Sequence, residues 1–266
     1  FYVWELEYDN PVIDIRVFKD RNFLFGTIAS SFINVMLYST LLLVPMFVQS
    51  MLGYSPSMSG LAMFPRAIIC LIGLLAVGEI SKYVKARILA IIGLLIMGIS
   101  VLMLTQMNLT SSMVSIVIPN ILLCIGVPTA FVPITALSFQ TLPAKKNADA
   151  AALHALFKNV ITAISTALSA TFIARASQVH QNYLVGDLSH HNMMFRYKFM
   201  MLKSKFLIHC PEVLAAKKAN GMLYKELLHQ SKLASFYDAF AILALLCILV
   251  IPLLFLLKIK KFKNAK

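Results

Sequence analysis

Six long stretches of apolar residues constrain the fold of this chain more than any other feature. They cover residues 23–49, 57–80, 87–106, 113–140, 149–175 and 235–257. About 20 apolar residues are enough for a helix to cross the ~30 Å hydrocarbon core of a bilayer. Only 13% of the 266 residues are charged, against roughly 25% in soluble domains. We therefore predict an all-α polytopic membrane protein, with five spanning helices in 23–176 and a last one at 235–257.

The distribution of basic residues predicts which side of the membrane each connection faces. The first-to-second and third-to-fourth connections carry no basic residue, whereas the other short connections and the tail do: Arg16, Lys19 and Arg21; Lys82, Lys85 and Arg87; Lys145 and Lys146; and the five lysines of "KIKKFKNAK". Short loops rich in Lys and Arg stay in the cytoplasm. Both ends, the linker 1–22 and the basic tail 258–266, are therefore predicted to be cytoplasmic. Phe1–Trp4 look like the end of a preceding helix.

The connection at 177–234 is then a long extracytoplasmic loop, although it carries eight Lys and Arg residues. The number of Lys and Arg residues does not determine on which side of the membrane a long loop lies. Its segment 212–233 is amphipathic at helical spacing and is interrupted by Gly221. Such a segment can lie in the membrane interface, dock on a partner protein or form a solvated loop, and the sequence leaves all three open. Its histidines have no metal-ligand spacing, so we predict no metal site.

Polar residues inside the spans are the candidate functional residues, because a charge in the bilayer costs about 2.5–3.5 kcal/mol or more. Arg66 lies about 12 Å into the second span at 1.5 Å per residue. Its side chain either reaches back to the headgroups or lines a cavity. Asn34 and Asn120 are better explained as hydrogen-bond partners between helices than as ligands of a substrate.

Lys158 lies in the middle of the fifth span. It is nine residues after Asp149, about 13 Å along a helix, which is near mid-depth of a ~30 Å core. His154 precedes it by four residues and therefore shares its helix face. We expect Lys158 to line a cavity. His154 either lines the same cavity or bonds to a neighbouring helix.

Signals of an enzyme are missing from the sequence. It contains no HExxH, no G-x-S-x-G and no Walker A sequence, and no pair of carboxylates lies within the spans. The four cysteines show no ligand spacing and suggest neither a disulfide nor a metal site. The net charge of +13 follows from membrane topology and anionic lipid headgroups rather than nucleic-acid binding. We predict a membrane protein that is not an enzyme and needs no cofactor.

Several segments resemble a known family. "VWELEYDNPVIDIRVFKDRNF" (residues 3–23) is similar to the linker of the fourteen-helix drug:proton antiporters of the major facilitator superfamily, the EmrB/QacA type. Residues 52–65, 131–143 and 236–240 resemble later segments of that family in the same order. The resemblance covers essentially the whole chain, but only as the six-helix C-terminal bundle. Lys158 falls where the family often carries a basic residue.

This resemblance implies a multidrug exporter of the bacterial inner membrane that exchanges protons for amphipathic drugs by alternating access and confers antibiotic resistance. It further implies a periplasmic adaptor protein and an outer-membrane channel as partners. The family's N-terminal half, which carries its main proton-binding carboxylates, has no counterpart here. Two hypotheses follow: the chain is the C-terminal half of such an exporter and provides one side of its substrate cavity, or it is a truncated or split-gene remnant with a scaffold role or no activity alone.

Overall fold

A computed structural model describes residues 15–109, 111–143, 146–186, 193–208 and 211–256. A short 3₁₀ helix at Ile15–Lys19 is followed by seven α-helices in this part of the chain. They are α1 (Arg21–Met51), α2 (Pro56–Ile80), α3 (Ala86–Leu104), α4 (Met113–Phe139), α5 (Asn147–Gly186), α6 (Met193–Leu207) and α7 (Glu212–Leu256). No strand occurs in the described ranges.

Six of these helices, all except α6, are long and apolar enough to cross a membrane. The prediction of an all-α protein with six spanning helices is thereby confirmed. The first four observed helices begin and end within about two residues of the predicted spans. Hydrophobic length therefore locates these helices well, because helices at membrane depth satisfy all backbone hydrogen bonds internally.

A short polar side chain caps the start of α1. Asp20 accepts hydrogen bonds from the backbone amides of Asn22 at 2.9 Å and Phe23 at 3.1 Å, and so caps α1. The same carboxylate accepts a 2.8 Å bond from the Thr141 hydroxyl, which follows α4. Capping satisfies amides that have no partner within the helix. The bond from Thr141 also fixes the start of α1 against the end of α4.

The compact unit that contains most of the spanning segments comprises residues up to Ser169 and those from Phe240 onward. Within it, α4 packs against α1, α2 and α3. The α3–α4 contact depends on glycine, because a Cβ atom on Gly93 would lie 2.4 Å from the Ala130 amide nitrogen. Small residues of this kind let membrane helices approach closely.

The second compact unit, Ala170–Ala239, contains the connection predicted at 177–234, and its described part is mostly helical. It consists of the end of α5, all of α6 and the beginning of α7. α5 continues to Gly186 rather than ending near 176, and α7 begins at Glu212 rather than at 235. Gly221 does not interrupt the helix. The physical reason is an apolar stripe at four-residue spacing, which is buried and favours one continuous helix: Ala215, Ala219, Leu223 and Leu227.

Polar contacts within this second unit join its helices to one another. His180 Nε2 lies 2.6 Å from Asp238 Oδ2, and Gln181 donates to the Tyr224 hydroxyl at 2.8 Å. Lys198 and Lys203 donate to carboxylates of α7, those of Glu226 and Glu212. The predicted linker before residue 15, the tail after 256, and His190, His191, His209 and Cys210 lie outside the described residues.

Candidate functional site

A cavity of about 470 Å³ lies between α1 and α5 in the first unit. We call it the α1–α5 groove. Phe18 of the 3₁₀ helix, six residues of α1 and two of α5 line it: Leu24, Thr27, Ile28, Ser31, Phe32, Val35, Phe157 and Ile161. Its walls are aliphatic and aromatic, apart from two hydroxyl groups. Ligand sites for amphipathic molecules have this composition, with a few polar groups in a mostly apolar pocket.

Helical spacing explains why these residues face the same space. Leu24, Ile28, Ser31 and Val35 recur at intervals of three and four, so they share one face of α1. They are half-buried, whereas Phe23, Ile33 and other residues of the opposite face are almost fully buried in the bundle. Phe157 and Ile161 are four residues apart on α5 and complete the groove.

Aromatic rings close one end of the groove. The ring centroids of Phe18 and Phe157 are 5.0 Å apart, and those of Phe18 and Phe23 are 5.2 Å apart. Such pairs contribute about 0.5–1.5 kcal/mol beyond simple area burial. The 3₁₀ helix before α1 is therefore part of the site, which the positions of the spans alone did not suggest.

His154 lies behind the groove and connects its two helices. Its Nε2 atom is 3.0 Å from the Ser30 hydroxyl, which also donates to the Thr27 carbonyl at 2.9 Å. Serine has one hydroxyl proton, so when Ser30 donates to the Thr27 carbonyl it accepts from His154 Nε2. The His154 ring packs on Phe139 at 5.8 Å, and the residue is only 9% exposed. Of the two predicted roles, the structure favours bonding between helices.

Lys158 is half-buried, one turn beyond His154 and next to the groove residue Phe157. No ion pair to Lys158 occurs in the described part of the chain. An ammonium group at this position can meet a polar or anionic group of a molecule in the groove. The structure thus places Lys158 next in sequence to a lining residue of the groove, but not among the lining residues themselves.

Arg66 is 5% exposed and lies inside the bundle. Its Nη1 donates to Asn120 Oδ1 at 3.3 Å. Its Nη2 donates to the Leu37 carbonyl at 3.3 Å and to the Thr40 hydroxyl at 3.4 Å. The guanidinium therefore joins α1, α2 and α4. The structure places Arg66 inside the bundle, where polar atoms of two other helices, α1 and α4, accept its hydrogen bonds.

The two predicted asparagines are both buried and hydrogen-bonded. Asn120 accepts from Arg66 and donates to the Ile116 carbonyl at 2.7 Å, so it bonds between helices as expected. Asn34 donates to the Ser30 carbonyl of its own helix at 2.9 Å. Of the five candidate residues, Arg66 and Asn120 bond to each other, His154 and Lys158 lie one turn apart on α5, and Asn34 bonds within α1.

Thr27 and Ser31 are site residues that sequence reasoning missed. The Thr27 hydroxyl is buried with no hydrogen-bond partner in the described structure, and Thr27 lines the groove. An unsatisfied buried hydroxyl costs about 1–3 kcal/mol, so a ligand that bonds to it recovers part of that cost. The three- and four-residue spacing of the stripe from Leu24 to Val35 was the available signal.

Comparisons with known proteins agree with this fold. The family model of the Major Facilitator Superfamily matches residues 7–166. The chain is 26% identical to the uncharacterized MFS-type transporter YhcA of Bacillus subtilis, covering all of this chain and 51% of YhcA. It is also 26% identical to the probable multidrug resistance protein EmrY of Escherichia coli, covering 73% of this chain and 38% of EmrY.

A third relative is the fatty acid resistance protein FarB of Neisseria gonorrhoeae, 26% identical over 68% of this chain and 36% of FarB. Among solved structures, a bacterial homolog of the human lysosomal transporter Spinster, inward-facing and occupied, matches with a TM-score of 0.54. It is 17% identical and covers 92% of this chain and 51% of its own. The chain spans about half, or less, of the length of these relatives. Because the family match extends over more than half of the sequence, the chain belongs to the Major Facilitator Superfamily.

Proposed function

We propose that the chain is the C-terminal half of a proton-coupled multidrug exporter and that the α1–α5 groove is part of its substrate cavity. The observation that carries the proposal is the groove itself, which combines apolar and aromatic walls with two hydroxyl groups. Relatives named as multidrug resistance and export proteins support it. Transporters with two related halves place the substrate between them, so this groove would form one wall.

The groove fits the apolar part of an amphipathic molecule. Phe32, Phe157 and Ile161 would contact rings or chains, and Thr27 and Ser31 would bond to a polar substituent. Lys158 lies one position from Phe157 and would receive an anionic group. None of the residues that line the groove is a carboxylate. We therefore assign proton binding to carboxylates of the other half, with alternating access arising from movement of one half against the other.

The proposal predicts that Phe157→Ala lowers drug efflux about fivefold to tenfold. Loss of an aromatic contact worth about 1–1.4 kcal/mol corresponds to that range. Lys158→Ala should reduce efflux of anionic amphipathic compounds more than that of neutral ones. The measurement is accumulation of a panel of fluorescent amphipathic compounds in an efflux-deficient bacterium that expresses the intact gene product.

Phe255→Ala is the matched control, because Phe255 is 63% exposed on α7 and does not line the groove. Efflux should be unchanged in this variant. Equal efflux by the wild type, Phe157→Ala and Lys158→Ala for every compound would rule out the groove as a substrate site. No efflux by the wild type for any compound would favour the alternative, a remnant with a scaffold role.

For the second unit we propose docking of a periplasmic adaptor protein. None of the described residues of α6 is buried. Its outer face carries Met193, Tyr197 and Met200, which are 82%, 69% and 60% exposed. Arg196 and Lys205 flank this face, beside Lys198 and Lys203, which pair with carboxylates of α7, and α6 contains no acidic residue. An apolar stripe with basic edges fits an amphipathic helix with acidic edges.

We expect Met200→Asp to abolish co-purification of the tagged protein with the adaptor of the same bacterium, because a buried unpaired carboxylate opposes docking. Met222→Asp on α7 is the control, since Met222 is similarly exposed, at 52%, but lies outside α6. Retained co-purification in Met200→Asp would argue against α6 as the docking surface.

A further inference from the structure

Two cysteines lie on neighbouring helices of the first unit. Cys70 lies on α2 and is half-buried, and Cys124 lies on α4 and is 1% exposed. In sequence the two cysteines are far apart, and their spacing gave no indication of a pair.

Contacts on either side of the pair set the register of α2 against α4. One turn before Cys70, Arg66 Nη1 bonds to Asn120 Oδ1 at 3.3 Å. One turn after it, a Cβ atom on Gly73 would lie 3.1 Å from Pro128 Cγ and 3.5 Å from the Cys124 carbonyl oxygen. The two helices are therefore parallel, and their register places Cys70 opposite Cys124.

The close backbone approach matters for the chemistry of the pair. A disulfide requires Cβ atoms about 3.5–4.5 Å apart, which typical helix spacings of 8–10 Å rarely allow. Gly73 has no side chain and brings α2 near the backbone of α4 at Cys124. The two backbones therefore approach each other within one turn of Cys70, which is the condition that a disulfide between helices needs.

We propose that Cys70 and Cys124 form a redox site that a lipid-soluble quinone closes into a disulfide. In this step the two thiols lose two protons and two electrons, and the new sulfur–sulfur bond joins α2 to α4. The quinone accepts both protons and both electrons and becomes the hydroquinone. The class of oxidant follows from the surroundings, since Leu71 and Ile72 beside Cys70 are exposed apolar residues, 62% and 58% exposed, which suit a lipid-soluble reagent.

Cys247 offers an internal comparison. It is as buried as Cys124, at 1% exposure, but its thiol donates to the Met36 thioether sulfur at 3.2 Å. A thioether carries no thiol and cannot form a disulfide. Burial alone therefore does not distinguish the two sites; the chemical nature of the neighbouring sulfur does.

The test uses the full chain in native membranes with Cys210 replaced by Ser. The membranes are treated with tetramethyl-1,4-benzoquinone, whose fully substituted ring resists thiol addition. The protein is then denatured and alkylated with a maleimide, and intact mass gives the number of free thiols. We expect the number to fall from three to one. Peptide mapping should recover a reducible link between the peptides of Cys70 and Cys124.

Variants of this parent protein in which one further cysteine is replaced identify which thiols react with the quinone. Cys247→Ser should still lose two thiols, whereas Cys70→Ser and Cys124→Ser should lose none. Three remaining thiols in the quinone-treated parent protein would overturn the proposal. So would a loss that persists in Cys124→Ser, or a product that runs as a chain dimer on a non-reducing gel. The outcome does not depend on transport, so it stands apart from the proposed function.

Discussion

At the scale of single residues, the hydrogen-bond partners of Arg66 and His154 explain why these polar side chains are buried in the spans. Arg66 and His154 are both polar groups at membrane depth, and both bond to neighbouring helices rather than to solvent. Arg66 has three neutral acceptors on two other helices, which offset part of the cost of burying its charge. Lys158 has no such partner in the described structure, and its position beside the groove makes it the better candidate for a functional cation.

Arg66→Ala should lower the stability of the folded protein by about 2 kcal/mol. It removes three hydrogen bonds, each worth roughly 0.6 kcal/mol in a membrane bundle, and leaves the Asn120 Oδ1 atom without its donor. Thermal unfolding of the purified protein in detergent measures the change. Arg175→Ala replaces an exposed arginine and should leave the midpoint unchanged. An unchanged midpoint for Arg66→Ala would show that its hydrogen bonds to α1 and α4 do not stabilise the fold.

At the scale of elements, α5 and α7 show that hydrophobicity marks a span but not the whole helix. α5 has 40 residues and α7 has 45, about twice the length needed to cross the hydrocarbon core. Their continuations are more polar and are held by pairs such as His180 with Asp238 and Lys198 with Glu226. A search for apolar runs ends at the membrane boundary, whereas backbone hydrogen bonding continues the helix.

Two glycine substitutions test this description of the helices, because they should change the stability of the protein in opposite directions. Nothing lies within 4 Å of a Cβ atom placed on Gly221 in α7. Gly221→Ala should therefore stabilise the protein by about 0.5–1 kcal/mol, since alanine favours the helix. Gly93→Ala should destabilise it, because the added carbon would meet the Ala130 amide nitrogen at 2.4 Å. Thermal unfolding compares the two, and a destabilising Gly221→Ala would indicate that the helix is interrupted there.

At the scale of the whole molecule, the chain forms two compact units that differ in chemistry. The first, up to Ser169 and from Phe240, contains the α1–α5 groove, the Arg66 cluster and the cysteine pair. The second, Ala170–Ala239, is helical and exposes the basic, Met-rich face of α6. The positive-inside rule predicts that the second unit lies outside the cell membrane and that the turn between α2 and α3 lies in the cytoplasm.

Single cysteines at exposed positions test this topology. In a variant with all four native cysteines replaced by Ser, Met193→Cys on α6 should react with a membrane-impermeant maleimide in intact cells. Tyr83→Cys, between α2 and α3, should react only after the membrane is opened. Met193 and Tyr83 are 82% and 87% exposed, so both sites are accessible in the folded chain. The reverse labelling pattern would invert the predicted orientation.

The sequence by itself determined the fold class, the six spans and the residues that carry polar groups at membrane depth. These depend on local properties: an apolar stretch of sufficient length has few alternatives to a spanning helix. Within the loop predicted at 177–234 the structure shows helices, since α5 extends to Gly186, α6 covers Met193–Leu207 and α7 begins at Glu212. A helix at 212–233 is one of the alternatives that the sequence left open, because its pattern does not specify what its apolar stripe packs against.

Only the tertiary structure decided what the polar residues do. Arg66 and Asn120 are 54 residues apart, His154 and Ser30 are 124 apart, and Cys70 and Cys124 lie on different helices. Such partnerships depend on how helices are rotated and set in register, which periodicity within one helix does not specify. The same applies to the α1–α5 groove, since a cavity exists only where two faces fail to meet. The length of the apolar stretches determines where the helices lie along the chain, and packing between the helices determines which polar residues bond to one another.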